Sequence, residues 1–288
     1  MEKNNFEKNF LEKNVEKGNN VTIHAIFGRH GEKAHNPDNP ETGLTDKGRE
    51  ESFGFGKSLE TKDFIKSYTS KTARTKETAE LVKQGSDTER KGITRGRREL
   101  AFVYDPQGNF LKKVMQIKKE VLGDEYNSLS EEKKKKKLYE ATSKQVDYYL
   151  SFGDKRPDPN TYSPVETASQ IAELVDQYIK MSSKLKSNSN VDLFNATHDF
   201  NLATFLKEVI IREVNGVKKS GFESIEDIGG PTDFNESFEV VIERKSTKDV
   251  SIKLLFRDQE YNIDLNRIGE LVNIAKNLKD KKDDRQVD

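Results

Sequence analysis

The sequence predicts an α/β protein, three layers deep, with helices on both faces of a mostly parallel central sheet. Three observations predict it. Apolar, β-branched runs at 21–27, 64–69 and 191–197 read as buried strands, and each feeds a turn that carries ionisable side chains. Segments of helical periodicity follow these runs, as the crossovers between parallel strands require. A late section alternates with period two, at 238–242, 250–256 and 261–263, and adds a C-terminal β-hairpin.

Composition bounds the function. The 288 residues hold 50 Lys and Arg against 50 Asp and Glu, a formal net charge of zero. A general nucleic-acid binder would show a basic surplus, so nucleic acid is not an expected partner. With no cysteine, disulfides, thiol catalysis and thiolate metal sites are excluded, and four histidines give little material for a metal centre. No run approaches the roughly 20 apolar residues of a membrane helix, and the N-terminus lacks the apolar stretch of a secretory signal. The expectation is a cytoplasmic protein with no membrane partner, no cofactor and no metal.

In chain order, residues 1–20 are mostly Glu, Lys and Asn and read as a disordered or weakly helical extension. One domain is expected over 21–278. After strand 21–27 comes a loop rich in Asn and Pro, and then Thr45 caps a helix running towards Leu59. Strand 64–69 leads to a helix over 72–83, and 85–96 is polar and loop-like. The stretch 101–162 changes character: helices at 110–121 and 130–150 make it a helical insertion over one side of the sheet. Its five-lysine run, 133–137, reads first as a solvated helix face and second as a substrate-steering patch. Ser163-Pro164-Val165-Glu166 has the cap, N1 proline and N3 glutamate of a helix start. Strand 191–197 follows, then a helix over 200–214. Asp264 caps a last helix ending at Leu278, and 279–288 reads as a disordered tail.

The chemistry gathers at strand ends. Arg29 and His30 follow the first strand, Arg74 the second, and His198 and Asp199 the third. In open α/β sheets that edge is where ligands bind. An imidazole attacks phosphorus only through an unprotonated nitrogen, and neighbouring guanidinium groups disfavour the imidazolium. Arg29 beside His30 therefore serves both to hold a phosphate and to keep the nucleophile neutral. Arg74, at a loop-to-helix junction, brings its fork and helix N-terminal N–H groups to the same anion. His198 is a donor to an equatorial oxygen. Expelling an alcohol needs a general acid, for which Asp199 is the first candidate and Glu99 the second. Lys33 and His35, just beyond the first turn, are possible pocket residues, and His24, inside the strand, reads as structural.

These segments carry a resemblance. Arg29-His30-Gly31, the helix start from Leu44 to Gly48, the run from Ser70 to Ala79, and Ala196-Thr197-His198-Asp199 stand in the order of the histidine phosphatase superfamily. That superfamily includes phosphoglycerate mutase-like enzymes and histidine acid phosphatases. The resemblance covers about residues 21–100 and 163–243 and leaves the insertion outside. It implies a phosphoglycerate mutase-like fold and a metal-independent phosphatase acting on a phosphorylated small molecule. His30 would be the nucleophile, with Arg29, Arg74 and His198 binding phosphate. In the acid-phosphatase branch the aspartate after the second histidine is the proton donor, which is Asp199. In the mutase-like branch a glutamate after the second arginine is the donor, which is Glu99. The turn departs from the acid-phosphatase pattern, with Lys33 and His35 where an arginine and a proline usually stand. A phosphomutase and a phosphate-recognising module without turnover are the alternatives. Substrate identity and oligomeric state are not written in any of these motifs.

Overall fold

The structure, a computed structural model, describes residues 16–34, 42–61 and 63–283. Its axis is β1 (Val21–Arg29), a strand buried on both faces and therefore apolar almost without interruption. On one side β1 pairs in parallel with β4 (Asn190–Thr197), β4 with β2 (Phe64–Thr69), and β2 with the short β3 (Arg95–Gly96). On its other side β1 pairs antiparallel with β7 (Ser237–Arg244). Beyond it come β8 (Val250–Phe256), β9 (Gln259–Ile263), β5 (Ile210–Val214) and β6 (Val217–Ser220).

The expectation of a mostly parallel sheet is thus corrected: three strand pairs are parallel and five are antiparallel. The cause lies in the connections. Helical crossovers link the first strands, whereas short turns link β5 to β6, β7 to β8 and β8 to β9, and a short turn can join only antiparallel neighbours. Asn215 (φ 53°) and Gly216 (φ 76°) make one such turn, and Arg257 and Asp258, also at positive φ, make another. A second correction follows from the first of these turns. The helix expected over 200–214 stops at Val209, and Ile210–Val214 is strand β5. Its β-branched residues and the Asn-Gly pair beyond it favour a hairpin over a fourth helical turn.

Helices cover both faces. Helices α1 (Asp46–Ser58) and α2 (Ala73–Gly85) lie on one, where Ile26, Ala79, Val82 and Phe194 form a cluster. Thr45 caps α1, its Oγ1 accepting from Gly48 N at 2.9 Å. The insertion supplies α3 (Asn109–Leu122) and α4 (Glu131–Leu150), which pack together as a helical hairpin. On the second face lie α5 (Pro164–Ser182), α6 (Asp199–Val209) and α7 (Leu265–Asp283). There Ala25 and Phe27 join Leu174, Phe205 and Leu271 in the main core. The expected capping box opens α5: Ser163 Oγ accepts from Glu166 N at 3.1 Å, and Glu166 Oε2 accepts from Ser163 N at 2.9 Å.

The ends of the chain differ from expectation where they are described. Helix α7 runs to Asp283, so 279–283, expected in a disordered tail, are helical. At the other end Gly18 N donates to Leu185 O at 3.0 Å, and Lys17 bridges to Lys186, which pins 16–20 beside the strand. The rest of the expected N-terminal extension, 1–15, lies outside the described residues, as do 284–288 and the loop position His35. Among the described residues no helix is long and apolar enough to cross a membrane.

Candidate active site

The C-terminal ends of β1, β4 and β2 lie side by side, and the parallel register aligns Arg29 with Thr197. The residue after each of the first two strands is therefore delivered to one place. His30 N donates to Thr197 O at 3.1 Å, which ties the nucleophile candidate directly to the residue before His198. The two imidazoles meet edge to face with centroids 5.4 Å apart, and both side chains are buried.

Glycine at position 31 is a steric requirement. A Cβ there would fall 2.6 Å from Ser52 Oγ and 2.9 Å from Gly48 O, so the turn can lie against the start of α1 only without a side chain. Gly31 N donates to Thr78 Oγ1 at 2.9 Å, and that hydroxyl donates to Arg74 O at 2.8 Å. The first turn of α2 is thereby clamped to the loop that carries His30, and Arg74 is aimed at it. Glu77 takes Arg49 and Leu44 N, Glu80 takes Lys83, and Arg74 Nε donates to His30 Nε2 at 3.1 Å.

The tautomer of His30 follows from its two partners. Nδ1 lies 2.8 Å from Gly31 O, and a carbonyl can only accept, so Nδ1 carries the proton. Nε2 is then the lone-pair nitrogen and accepts from Arg74. Burial, then His198 and Arg29, hold the ring well below the usual imidazole range, with Arg74 acting in the same direction. His198 is pushed down to about 3, first by burial and then by Arg74, Arg29 and Lys33. Both rings are neutral at physiological pH. His198 Nε2 also lies 3.4 Å from Ser70 Oγ, at the end of β2.

Arg29 is fixed on three sides. It donates to Thr232 O, stands 3.5 Å from Asp199 Oδ2, and lies over the Phe234 ring at 4.4 Å. Its buried Nε has no hydrogen-bond partner among the described residues. The segment from Pro231 to Phe234, which has no sequence signature, thus belongs to the site. Only its turn-forming Pro and Asp before a strand could have marked it as a loop.

The two acid candidates have different surroundings. Asp199 is the first residue of α6. Its Oδ1 accepts from Phe200 N at 2.9 Å, and its other oxygen faces Arg29. Glu99 is buried in a short 3-10 turn, Arg98–Leu100. That turn is tied to the end of β4, since Thr197 Oγ1 donates to Leu100 O at 2.8 Å. Its nearest cations are Lys279 at 3.5 Å and Arg98 at 4.0 Å. Lys279 also pairs with Glu173. Lys279 stands on the part of α7 that composition alone had suggested was a tail.

Arg29, His30, Arg74, Glu99, His198 and Asp199 line one cavity of about 1190 Å³, together with Lys33 and faces of α3 and α4. The backbone of Lys33 forms an antiparallel β-bridge with Leu44. His24, by contrast, sits in mid-strand, away from that edge, with Nδ1 2.5 Å from Glu239 Oε1. Among the described residues no group of His, Asp and Glu is placed to hold a metal ion.

One family model matches the segment that carries the first of the motifs. The model of the histidine phosphatase superfamily (branch 1) matches residues 25–121, a segment that contains Arg29, His30, Arg74 and Glu99. A sequence search of curated proteins found no match. Among solved structures, a mycobacterial glucosyl-3-phosphoglycerate phosphatase aligns at 12% identity and TM-score 0.49, over 83% of this chain and 100% of its own. A putative alpha-ribazole-5'-P phosphatase from Escherichia coli aligns at 14% identity and TM-score 0.42, over 82% of this chain and 97% of its own. A phosphoserine phosphatase from Entamoeba histolytica aligns at 12% identity and TM-score 0.41, over 84% and 94%.

Proposed function

We propose that the protein hydrolyses a phosphomonoester through a phosphohistidine on His30. The observation that carries this reading is the state of that ring. Its Nδ1–H is held by Gly31 O, so Nε2 presents a lone pair between two arginines and a second neutral histidine.

In the proposed cycle Arg74 exchanges its bond to Nε2 for one to a phosphate oxygen, and Arg29 and His198 take the others. The unpartnered Nε of Arg29 is a donor that such an oxygen can satisfy. Nε2 attacks phosphorus, the P–N bond forms, and the bond to the leaving oxygen breaks. A carboxylic acid gives that oxygen its proton. Water then attacks phosphorus, the same carboxylate takes the water proton, and phosphate leaves with His30 neutral again. The arrangement acts by positioning and by charge stabilisation, which dominate phosphoryl transfer.

We assign the acid to Glu99. It faces the cavity from a turn anchored to β4, and it lies within the matched segment. Asp199, with one oxygen on Phe200 N and the other towards Arg29, acts as the group that orients Arg29.

The test is phosphate release from p-nitrophenyl phosphate. Purified protein should release phosphate, and His30→Ala should lower kcat by at least ~10³-fold. Acid-stable retention of radiolabel by His30→Ala, or unchanged turnover, would overturn the mechanism. A mutase would return the phosphoryl group to the substrate skeleton and leave none in solution.

A further inference from the structure

The geometry points to an elongated substrate that carries a second anionic group, received by lysines of the insertion at the far end of the catalytic cavity. This rests on the phosphatase reading above and adds what the leaving group must be.

The cavity is larger than a phosphorylated sugar needs. Pockets for drug-sized ligands run from ~300 to ~1,000 Å³, against about 1190 Å³ here. One wall of it follows α3. Phe110, Val114, Lys118 and Leu122 line it from successive turns of one face, which spans ~18 Å at the α-helical rise. The near end of that face is fixed by Phe110, whose ring lies 6.1 Å from Phe200, the neighbour of Asp199. The far end is fixed by the hairpin. Tyr149, late in α4, packs on Phe110 at 5.2 Å, whereas Lys137, early in α4, donates to Val121 O at 2.8 Å. The two helices therefore run antiparallel, and the lysine run stands level with the end of α3.

Three zones result. The catalytic end holds the arginines and histidines. The middle is apolar, with Leu111 and Val114 from α3 and Leu138 from α4. The far end is cationic, with Lys118, Lys134 and Lys135. Lys134 is neutralised by Glu131 at 2.8 Å, but Lys118 and Lys135 make no ion pair with any described residue. The charge balance of the lining is also distinctive. Ten Lys and Arg face six Asp and Glu there, in a chain whose totals are equal. A positive surplus gathered in a cleft attracts and orients anions. One phosphate at His30 leaves the far lysines unused, while a second acidic group on an apolar spacer would engage them.

The experiment compares two non-hydrolysable probes, dodecylphosphonate and ω-carboxydodecylphosphonate, by titration calorimetry on the full chain. The expected result is about tenfold tighter binding of the carboxylate probe, the advantage of one charge-assisted contact. That advantage should shrink at high salt and vanish in a Lys118→Gln, Lys135→Gln double variant. The same variant should release phosphate from p-nitrophenyl phosphate at the wild-type rate, which also reports that it is folded. Equal affinity for the two probes, failure of both to bind, or a preference that survives in the variant would overturn the inference. Because binding is read directly, loss of the phosphatase reading would appear separately, as no phosphate release from p-nitrophenyl phosphate by the wild-type protein.

Discussion

The two walls of the cavity are built on different principles. The sheet wall presents Arg29, His30, Arg74 and His198 from strand ends and helix starts, each held by backbone or buried hydrogen bonds. The insertion wall presents side chains from one face of each of two helices, and several are long, flexible lysines. A group at a strand end is positioned by the whole sheet, whereas a group on a helix face is positioned by its own rotamer. The first arrangement suits chemistry, which a small displacement ruins. The second suits recognition, which tolerates exchange of side chains. On the proposed function, reaction belongs to the parallel half of the sheet and selectivity to the hairpin.

Substitutions can break that division, and the largest effects belong to the sheet wall. Glu99→Gln should lose ~10² to ~10⁴-fold in kcat on alkyl phosphates and far less on p-nitrophenyl phosphate, whose leaving group needs no proton. Asp199→Asn should act mainly through KM, with little dependence on the leaving group. The reverse pattern would make Asp199 the acid and Glu99 the partner of Lys279. Arg74→Leu should cost ~10² to ~10³-fold in kcat, as loss of a donor to the transferring phosphoryl group does elsewhere. A loss confined to KM would limit its role to ground-state binding.

The pH dependence of stability sharpens the comparison next. His198 is pushed to about 3 in the fold, against ~6.5 in the unfolded chain. Between those values the unfolded chain binds more protons, so stability falls as the pH falls. It is fully present above ~6.5 and lost progressively towards 3. Urea midpoints measured across that window should decline, and His198→Asn should flatten part of the decline. His30 shares the downward direction, so catalysis in the free enzyme should show no acid limb at the usual imidazole pKa. The smallest effect belongs to the hairpin wall. Tyr139 Oη donates to Glu226 Oε2 at 3.0 Å and contacts Gly229 O at 3.2 Å. Tyr139→Phe should lower stability by ~1 kcal/mol and leave p-nitrophenyl phosphate kinetics unchanged.

Legibility in the sequence follows the same line. Strands β1, β2 and β4 are readable because each is largely buried and carries β-branched and aromatic residues in a short run. Arg29, His30, Arg74 and His198 were readable because a strand end fixes what comes next. Strand β5 was not, because Ile210 and Ile211 continue the apolar pattern of α6 and periodicity cannot mark the change. The Asn215-Gly216 turn was the available signal. Thr232, Phe234 and Lys279 were hidden for another reason: their place beside Arg29 and Glu99 exists only once distant segments have packed. Lys279 in particular sits in a lysine-rich stretch whose composition resembles a solvated tail, and only the docking of α7 gives it a partner. The five-lysine run was read first as a solvated face, yet the structure brings Lys134 and Lys135 to the cavity wall and leaves Lys137 bonded to α3.

The central position of β1 has a consequence in time. The strand precedes both of its neighbours, β4 and β7, by a long stretch of chain. Asn195, which bonds Ile26 O, is 169 residues away, and Glu239, which bonds His24, is 215 away. Closing such separations makes folding slow, because loop entropy is spent before any contact repays it. During synthesis β1 therefore emerges as an apolar segment with both edges open until β4 follows, and with one edge open until β7 does. A nascent chain in that condition is a natural client for holding factors, and a truncated one is a natural source of aggregates.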